Sequence, residues 1–247
     1  INIMSHKWLI RPSQIGKLMS STRSKDRIFG DTAIKIIKQN AYLYKRGVEP
    51  ENITNYKMEK GIHNEAKNID IASEVLEWKG VSGDMEKIRL SNDYFIGEPD
   101  INTPDLLADI KSSWNHETFP ILKNPNNPDY IKQLNAYMDL SGKDQAELVY
   151  VLSVHPDYLL SKMIQSKTHY YSERPFLFPE AEGIEHLWSL AEEKAENEMN
   201  NQFKFDHIPK DKRVKRYIIK RDQDLIDKMK ERIDLAREEF DRIYELI

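Results

Sequence analysis

The sequence predicts an α/β fold: a small mixed sheet flanked by helices, with helical additions at the C-terminal end. Three observations predict it. Apolar residues recur at helical spacing across the first third of the chain. Between about residues 87 and 111 the pattern changes to short strand-like runs separated by turn residues. A helix at 128–141 then leads into an apolar strand, and helical patterning returns from about 180 onward.

The first predicted helix, 12–20, has Pro12 near its start. The second, 31–46, has Asp31 or Thr32 as its cap and Gly47 as its stop. A third runs from about 51 to 79 and ends at Gly80, with Ile62, Ala66, Ile69, Val75 and Leu76 as its apolar stripe. Strands are predicted at 87–90 and 94–97 around the turn Ser91-Asn92-Asp93, and at 106–111 after the turn 102–105. The stretch 123–129 carries turn residues throughout. Helix 128–141 ends at Gly142, and strand 147–154 is stopped by Pro156. Residues 162–173 read as a further strand, 180–202 as a helix and 213–220 as a short basic strand. The closing helix, 222–246, repeats apolar residues from Leu225 and Ile226 through Met229, Ile233, Phe240 and Leu246, a stripe suited to the core or to a partner subunit. Without a linker or internal repeat, the reading is one domain over 1–247, with a core at about 8–160 and additions at about 161–247.

Composition narrows the chemistry. The 247 residues are 39% hydrophobic and 32% charged, and there is no cysteine. Disulfides, thiolate zinc sites and iron–sulfur clusters are therefore excluded. The seven histidines include no i, i+4 pair, so a metal here would be a hard cation held by carboxylates. No run approaches the roughly 18–20 apolar residues of a membrane span, and the start lacks a signal-peptide layout. A cytoplasmic location is expected, with no membrane partner. The net charge of −4 disfavours nucleic acid as a partner, but the charge is uneven. Residues 204–221 hold eight Lys and Arg against two Asp, and Lys17, Arg23, Lys25 and Arg27 stand against Asp26 alone.

The informative segment is Gly97-Glu98-Pro99-Asp100 followed by Asp109-Ile110-Lys111. A hairpin centred near Thr103-Pro104 would pair residue 98 with 109 and residue 100 with 107. Alternation then gives Asp100, Asp109 and Lys111 one face and Ala108 and Ile110 the other. The two aspartates become diagonal neighbours, roughly 7–8 Å apart at the backbone. Two acids that close repel unless a cation joins them. Carboxylates holding hard cations, with a lysine beside the attacking water, are what phosphodiester hydrolysis needs. Other acid-x-Lys triplets, such as Glu65-Ala66-Lys67 and Glu77-Trp78-Lys79, sit in helical stretches. Glu98 falls on the same predicted face and is a possible competitor or helper for Asp100. Trp114 and Phe119 read as core or rim, and His63 as a satisfied or exposed histidine.

Two further blocks frame this segment: Gly61 to Glu65 upstream, and Gln133 to Tyr137 on one helix face downstream. In order, the four blocks resemble the pattern G-x-x-x-E, G-x-x-D, (D/E)-x-K, Q-x-x-x-Y of the phage-type exonucleases in the PD-(D/E)XK superfamily. These are the lambda-exonuclease-like and YqaJ-like viral recombinases, relatives of RecB nuclease domains. The similarity extends to residues 10–19, 114–120 and 150–152, and covers about 8–160. It implies a restriction-endonuclease-like core and a metal-dependent deoxyribonuclease. The implied cofactor is Mg2+, with Mn2+ able to substitute. Glu65, Asp100 and Asp109 would be metal-site acids, the Ile110 carbonyl a further ligand, and Lys111 the attendant of the nucleophilic water. Gln133 and Tyr137 would support the site or contact DNA, and Arg11 and Ser13 would grip a terminal 5′-phosphate. Implied partners are linear duplex ends, digested 5′ to 3′, further copies of the chain in a ring, and a single-strand annealing protein. The implied setting is a bacterial host cytoplasm, with the protein encoded by a phage or prophage. A restriction-like or structure-specific endonuclease, and a catalytically silent binding module on the same scaffold, fit the same residues.

Overall fold

The computed structural model describes residues 7–22, 27–48, 55–124 and 127–247. Arg23 and Lys25, residues 51–54 of the third predicted helix, and Pro125 and Asn126 of the turn-rich stretch lie outside the described residues.

Four strands make the central sheet, in the order β3-β4-β5-β6. β3 (Ile101–Asn102) and β4 (Leu107–Ser112) form an antiparallel hairpin. β4 and β5 (Gln145–Val151) are parallel, joined by a crossover through helix α4 (Pro128–Ser141). β6 (Val214–Lys220) closes the far edge antiparallel to β5. The sheet is therefore mixed, as predicted. The strands predicted at 87–90 and 94–97 shrink to a two-residue ribbon, β1 (Leu90–Ser91) with β2 (Ile96–Gly97). Its turn is held by the Asn92 side chain, which accepts from the Tyr94 and Phe95 amides.

Strand alternation distributes the helices. Ala108 and Ile110 of β4 bury against Ile69, Ile71 and Ala72 of α3 (Tyr56–Leu76). Leu107, on the opposite face, packs with Leu134, Tyr137 and Met138 of α4. A helical body of α1 (Pro12–Leu18), α2 (Asp31–Arg46) and α7 (Gln223–Leu246) buries Ile15, Leu18, Ile37, Met229, Ile233 and Phe240. The α7 stripe thus packs within the molecule from Ile226 to Ile243, while Leu246 at its end is exposed.

The stretch after residue 161 is of two kinds. β6 and α7 belong to the central sheet and the helical body, whereas α5 (Asp157–Ser172) and α6 (Ile184–Phe203) pair as a hairpin. The strand expected at 162–173 is a correction: residues 162–172 lie in α5 and Glu173 caps it. Tyr, Thr and His suggest a strand there, but Leu160, Met163, Ile164, Thr168 and Tyr171 recur at three- and four-residue spacing. That spacing puts Leu160, Met163 and Ile164 against Met199 and Phe203, and Tyr171 against Ala191 and Ala195. The basic stretch 204–221 is partly neutralised by neighbouring acids: Lys210 meets Glu74, Arg216 meets Glu147, and Arg221 meets Asp139. No described helix is long and apolar enough to cross a membrane.

Candidate active site

β4 runs past the end of β3, so its outer edge is open from Asp109 onward. The observed register pairs Ile101 with Ala108 and Asn102 with Leu107, which sets Asp100 directly across from Asp109. The predicted pairing is off by two residues. The turn closes later than expected, through Thr103 N–H to Leu106 O (2.8 Å) and Leu106 N–H to Thr103 Oγ1 (3.1 Å). An even shift preserves alternation, so Asp100, Asp109 and Lys111 still share a face.

Asp100 turns its carboxylate onto the open edge, where Oδ2 accepts the Ile110 amide at 2.8 Å. A strand residue points its N–H and C=O the same way, so the Ile110 carbonyl emerges beside Asp100. The register puts Pro99 opposite it, and proline has no N–H to donate.

Across the face, α4 supplies Gln133, whose amide joins the two key β4 side chains. Its Nε2 donates to Asp109 Oδ1 (2.9 Å), and its Oε1 accepts from Lys111 Nζ (3.2 Å). Lys111 Nζ lies 2.6 Å from Asp109 Oδ2 and 4.5 Å from the centre of the Tyr130 ring. Tyr137, one turn beyond Gln133, donates to the Glu98 carbonyl (3.2 Å). From the other side, α3 brings Glu65. A buried polar stripe on that helix, Lys60, Asn64 and Asn68, is set into the sheet ends. Lys60 Nζ donates to the Ser113 and Trp114 carbonyls (2.6 and 3.2 Å), and Asn64 to Ser153 Oγ and the Val154 carbonyl (3.0 and 2.7 Å). These bonds fix the distance between Glu65 and the end of β4.

The result is one cleft of about 600 Å³. Glu65, Asp100, Asp109, Ile110, Lys111, Gln133 and Tyr137 all line it, as do Met58, Ile62, Trp114 and Tyr130. Arg11 and Ser13 do not. They line an adjoining hollow of about 270 Å³ with Arg89, Gly97 and Glu98, and Tyr137 borders both spaces. Glu98 is also a correction: buried Pro99 interrupts the strand, alternation stops at Asp100, and the exposed Glu98 pairs with Arg89 (2.7 Å). Trp114 and Phe119 pack into apolar clusters, and the exposed His63 lies against the Tyr158 ring.

Charge in the cleft is tightly set. Asp109 is 3% exposed. Burial pushes its carboxyl up to about 6, against the pull of Lys111 and with the help of Asp100. For Lys111, burial alone would lower the pKa, but the charges of Asp109 and Asp100 outweigh it and hold the ammonium above its usual value. Lys87, which the sequence reading passed over, puts its ammonium 2.5 Å from Glu65 Oε1 and 3.0 Å from Asp100 Oδ1. Among the described residues no three acidic or imidazole groups stand together as a ready ion cage. The carboxylates are instead neutralised by two ammonium groups. The donor set nonetheless suits a hard cation: three carboxylates and a backbone carbonyl, with no soft ligand among them.

The crystal structure of a phage-related exonuclease from Haemophilus somnus 129PT superposes with a TM-score of 0.65 over 96% of both chains, at 24% identity. The two chains share one fold. The alkaline exonuclease LHK-Exo from Laribacter hongkongensis shares it, at a TM-score of 0.58 and 15% identity over 96% of this chain and 90% of its own. Its structure in complex with dAMP matches equally, at 16% identity. No protein-family model matches the chain, and no curated protein matches it in sequence. The likeness therefore lies in the fold, which these exonucleases share over 96% of this chain.

Proposed function

We propose that the protein is a divalent-cation-dependent DNA exonuclease that hydrolyses phosphodiester bonds from linear duplex ends in the 5′ to 3′ direction. One observation carries the reading. Glu65, Asp100, Asp109 and Lys111 arrive from three elements at one cleft on an open sheet edge of an exonuclease fold, with Gln133 tying the last two together.

Glu65, Asp100, Asp109 and the Ile110 carbonyl would hold the cation, Mg2+ with Mn2+ as substitute. A cation there supplies Lewis-acid stabilisation of the phosphate and lowers the pKa of a bound water. The chain's own residues do the positioning. Gln133 bonds to both Asp109 and Lys111 and so orients the two side chains relative to each other. Lys111 orients the attacking water and offsets the charge that builds on the phosphate oxygens. The Tyr130 ring under its ammonium keeps it aimed into the cleft. Arg11 and Ser13, in the adjoining hollow, take the terminal 5′-phosphate, a task suited to a planar guanidinium. A ring of copies around DNA, a single-strand annealing partner and a role in phage recombination in a bacterial cytoplasm belong to this proposal through the sequence resemblance.

A linear duplex with a 5′-phosphate at one end and a 5′-hydroxyl at the other tests the reading. With Mg2+ present, digestion should start from the phosphorylated end and release mononucleotides, and Arg11→Ala should lose that preference. Equal attack on both ends would remove the 5′-phosphate assignment. No digestion with Mg2+ or Mn2+ would remove the enzyme and leave a silent nuclease-fold module.

A further inference from the structure

Lys87 has a position that the proposed reaction leaves unexplained. It sits in the run 81–89 between α3 and β1, and that run is tied to α3 beside Glu65. Ser73 Oγ donates to the Val81 carbonyl (2.9 Å), and the Gly83 amide donates to Asp70 Oδ1 (2.7 Å). Gly83 lies so close to the helix that a Cβ there would fall 2.3 Å from the Ala66 carbonyl oxygen. Ile88, by contrast, is 60% exposed. The run is thus held by its contacts with α3, and those contacts deliver Lys87 to the acids.

A long lysine side chain gives up conformational entropy when it is held in one place. Here it is held by two carboxylates from different elements, Glu65 of α3 and Asp100 at the hairpin. Both are the acids assigned to the cation. A divalent ion bound to the same oxygens would stand within a few ångströms of the ammonium, and like charges that close repel strongly. Ammonium and metal ion therefore compete for Glu65 Oε1 and Asp100 Oδ1.

We propose that Lys87 is the resident counter-ion of the metal site. Its ammonium bridges Glu65 and Asp100 until a divalent cation displaces it, so it steadies the metal-free site and weakens cation binding. It is a positioning residue that acts through the two carboxylates. The proposal rests on the divalent-cation reading above.

The test is Mn2+ binding by calorimetry on the whole chain without DNA, comparing wild type, Lys87→Met and Lys87→Arg. Lys87→Met should bind Mn2+ about tenfold more tightly, since a charge opposing the ion is gone. It should also melt lower than wild type without metal and gain more in Tm on Mn2+ addition. Lys87→Arg, which keeps the charge, should stay near wild type. Equal Mn2+ affinity for wild type and a folded Lys87→Met overturns the counter-ion role and leaves the cation reading standing. Absence of Mn2+ binding by either protein overturns both. Lys87→Gln gives the same comparison if the methionine variant does not fold.

Discussion

Asp109 is a carboxylate in a place that disfavours its charge. Burial raises its pKa to about 6, and Lys111 only partly opposes this. A carboxyl raised in the folded state favours folding below its unfolded value and loses that contribution as pH rises through the folded one. The Asp109 contribution is therefore present below about pH 4 and gone above about pH 6. Chemical denaturation without metal should show Asp109→Asn gaining on wild type from pH 4 to pH 7. The gain should be on the order of a few kcal/mol, since each unit of pKa rise corresponds to about 1.4 kcal/mol. A gap that does not change with pH would contradict it. For catalysis, Asp109→Ala should cut single-turnover cleavage by about 10³-fold or more while duplex binding persists.

His155 has the opposite sign. It lies among Trp114, Phe203 and Phe205, and burial lowers its pKa to about 3, with the Lys60 charge adding to the effect. Its contribution is full above about pH 6.5 and is lost as pH falls toward 3. Wild type should lose about 1.4 kcal/mol per pH unit across that window from this residue alone. His155→Phe should flatten that part of the profile, and an unchanged slope would count against it.

Among the elements, the β3–β4 hairpin explains why the centre of the site was legible in the sequence. Turn residues at 102–105 and strand alternation place Asp100, Asp109 and Lys111 on one face for any register of the right parity. The two-residue error in pairing therefore left the assignment intact. The same alternation misled at Glu98, because it takes no account of a buried proline that ends the strand. Lys60 and Asn64 left a faint signal, a polar i, i+4 series on the buried face of α3, which looks like solvated surface in a sequence. Lys87 left none, since its partners come from two elements that only the tertiary fold brings together. The contact that positions its segment makes a separate prediction. Gly83→Ala should destabilise the protein by about 1–3 kcal/mol, because its Cβ meets backbone that cannot move aside. An unchanged urea midpoint would mean that the run is not held against α3.

For the molecule as a whole, the sequence reading located the sheet, the helices around it and the cleft. It did not locate the role of the C-terminal third, because β6 and α7 meet their partners across long sequence separations. α7 buries its stripe on α1 and α2, with Phe240 fully buried and stacked on Trp8 at 5.3 Å. Phe240→Ala should lower stability by about 3–5 kcal/mol, read from denaturant midpoints. The site depends on this body: α1 packs on α4, which carries Gln133 and Tyr137.

The central claim is cation-dependent attack on DNA ends, and one measurement tests it most directly. Wild type and Asp109→Ala are incubated with equal amounts of linear duplex and covalently closed circular duplex, with Mg2+ and with chelator. The account predicts that wild type with Mg2+ degrades the linear DNA and leaves the circle intact, and that the chelator and Asp109→Ala each abolish degradation. Cutting of the closed circle, or digestion that survives the chelator or the substitution, would contradict it.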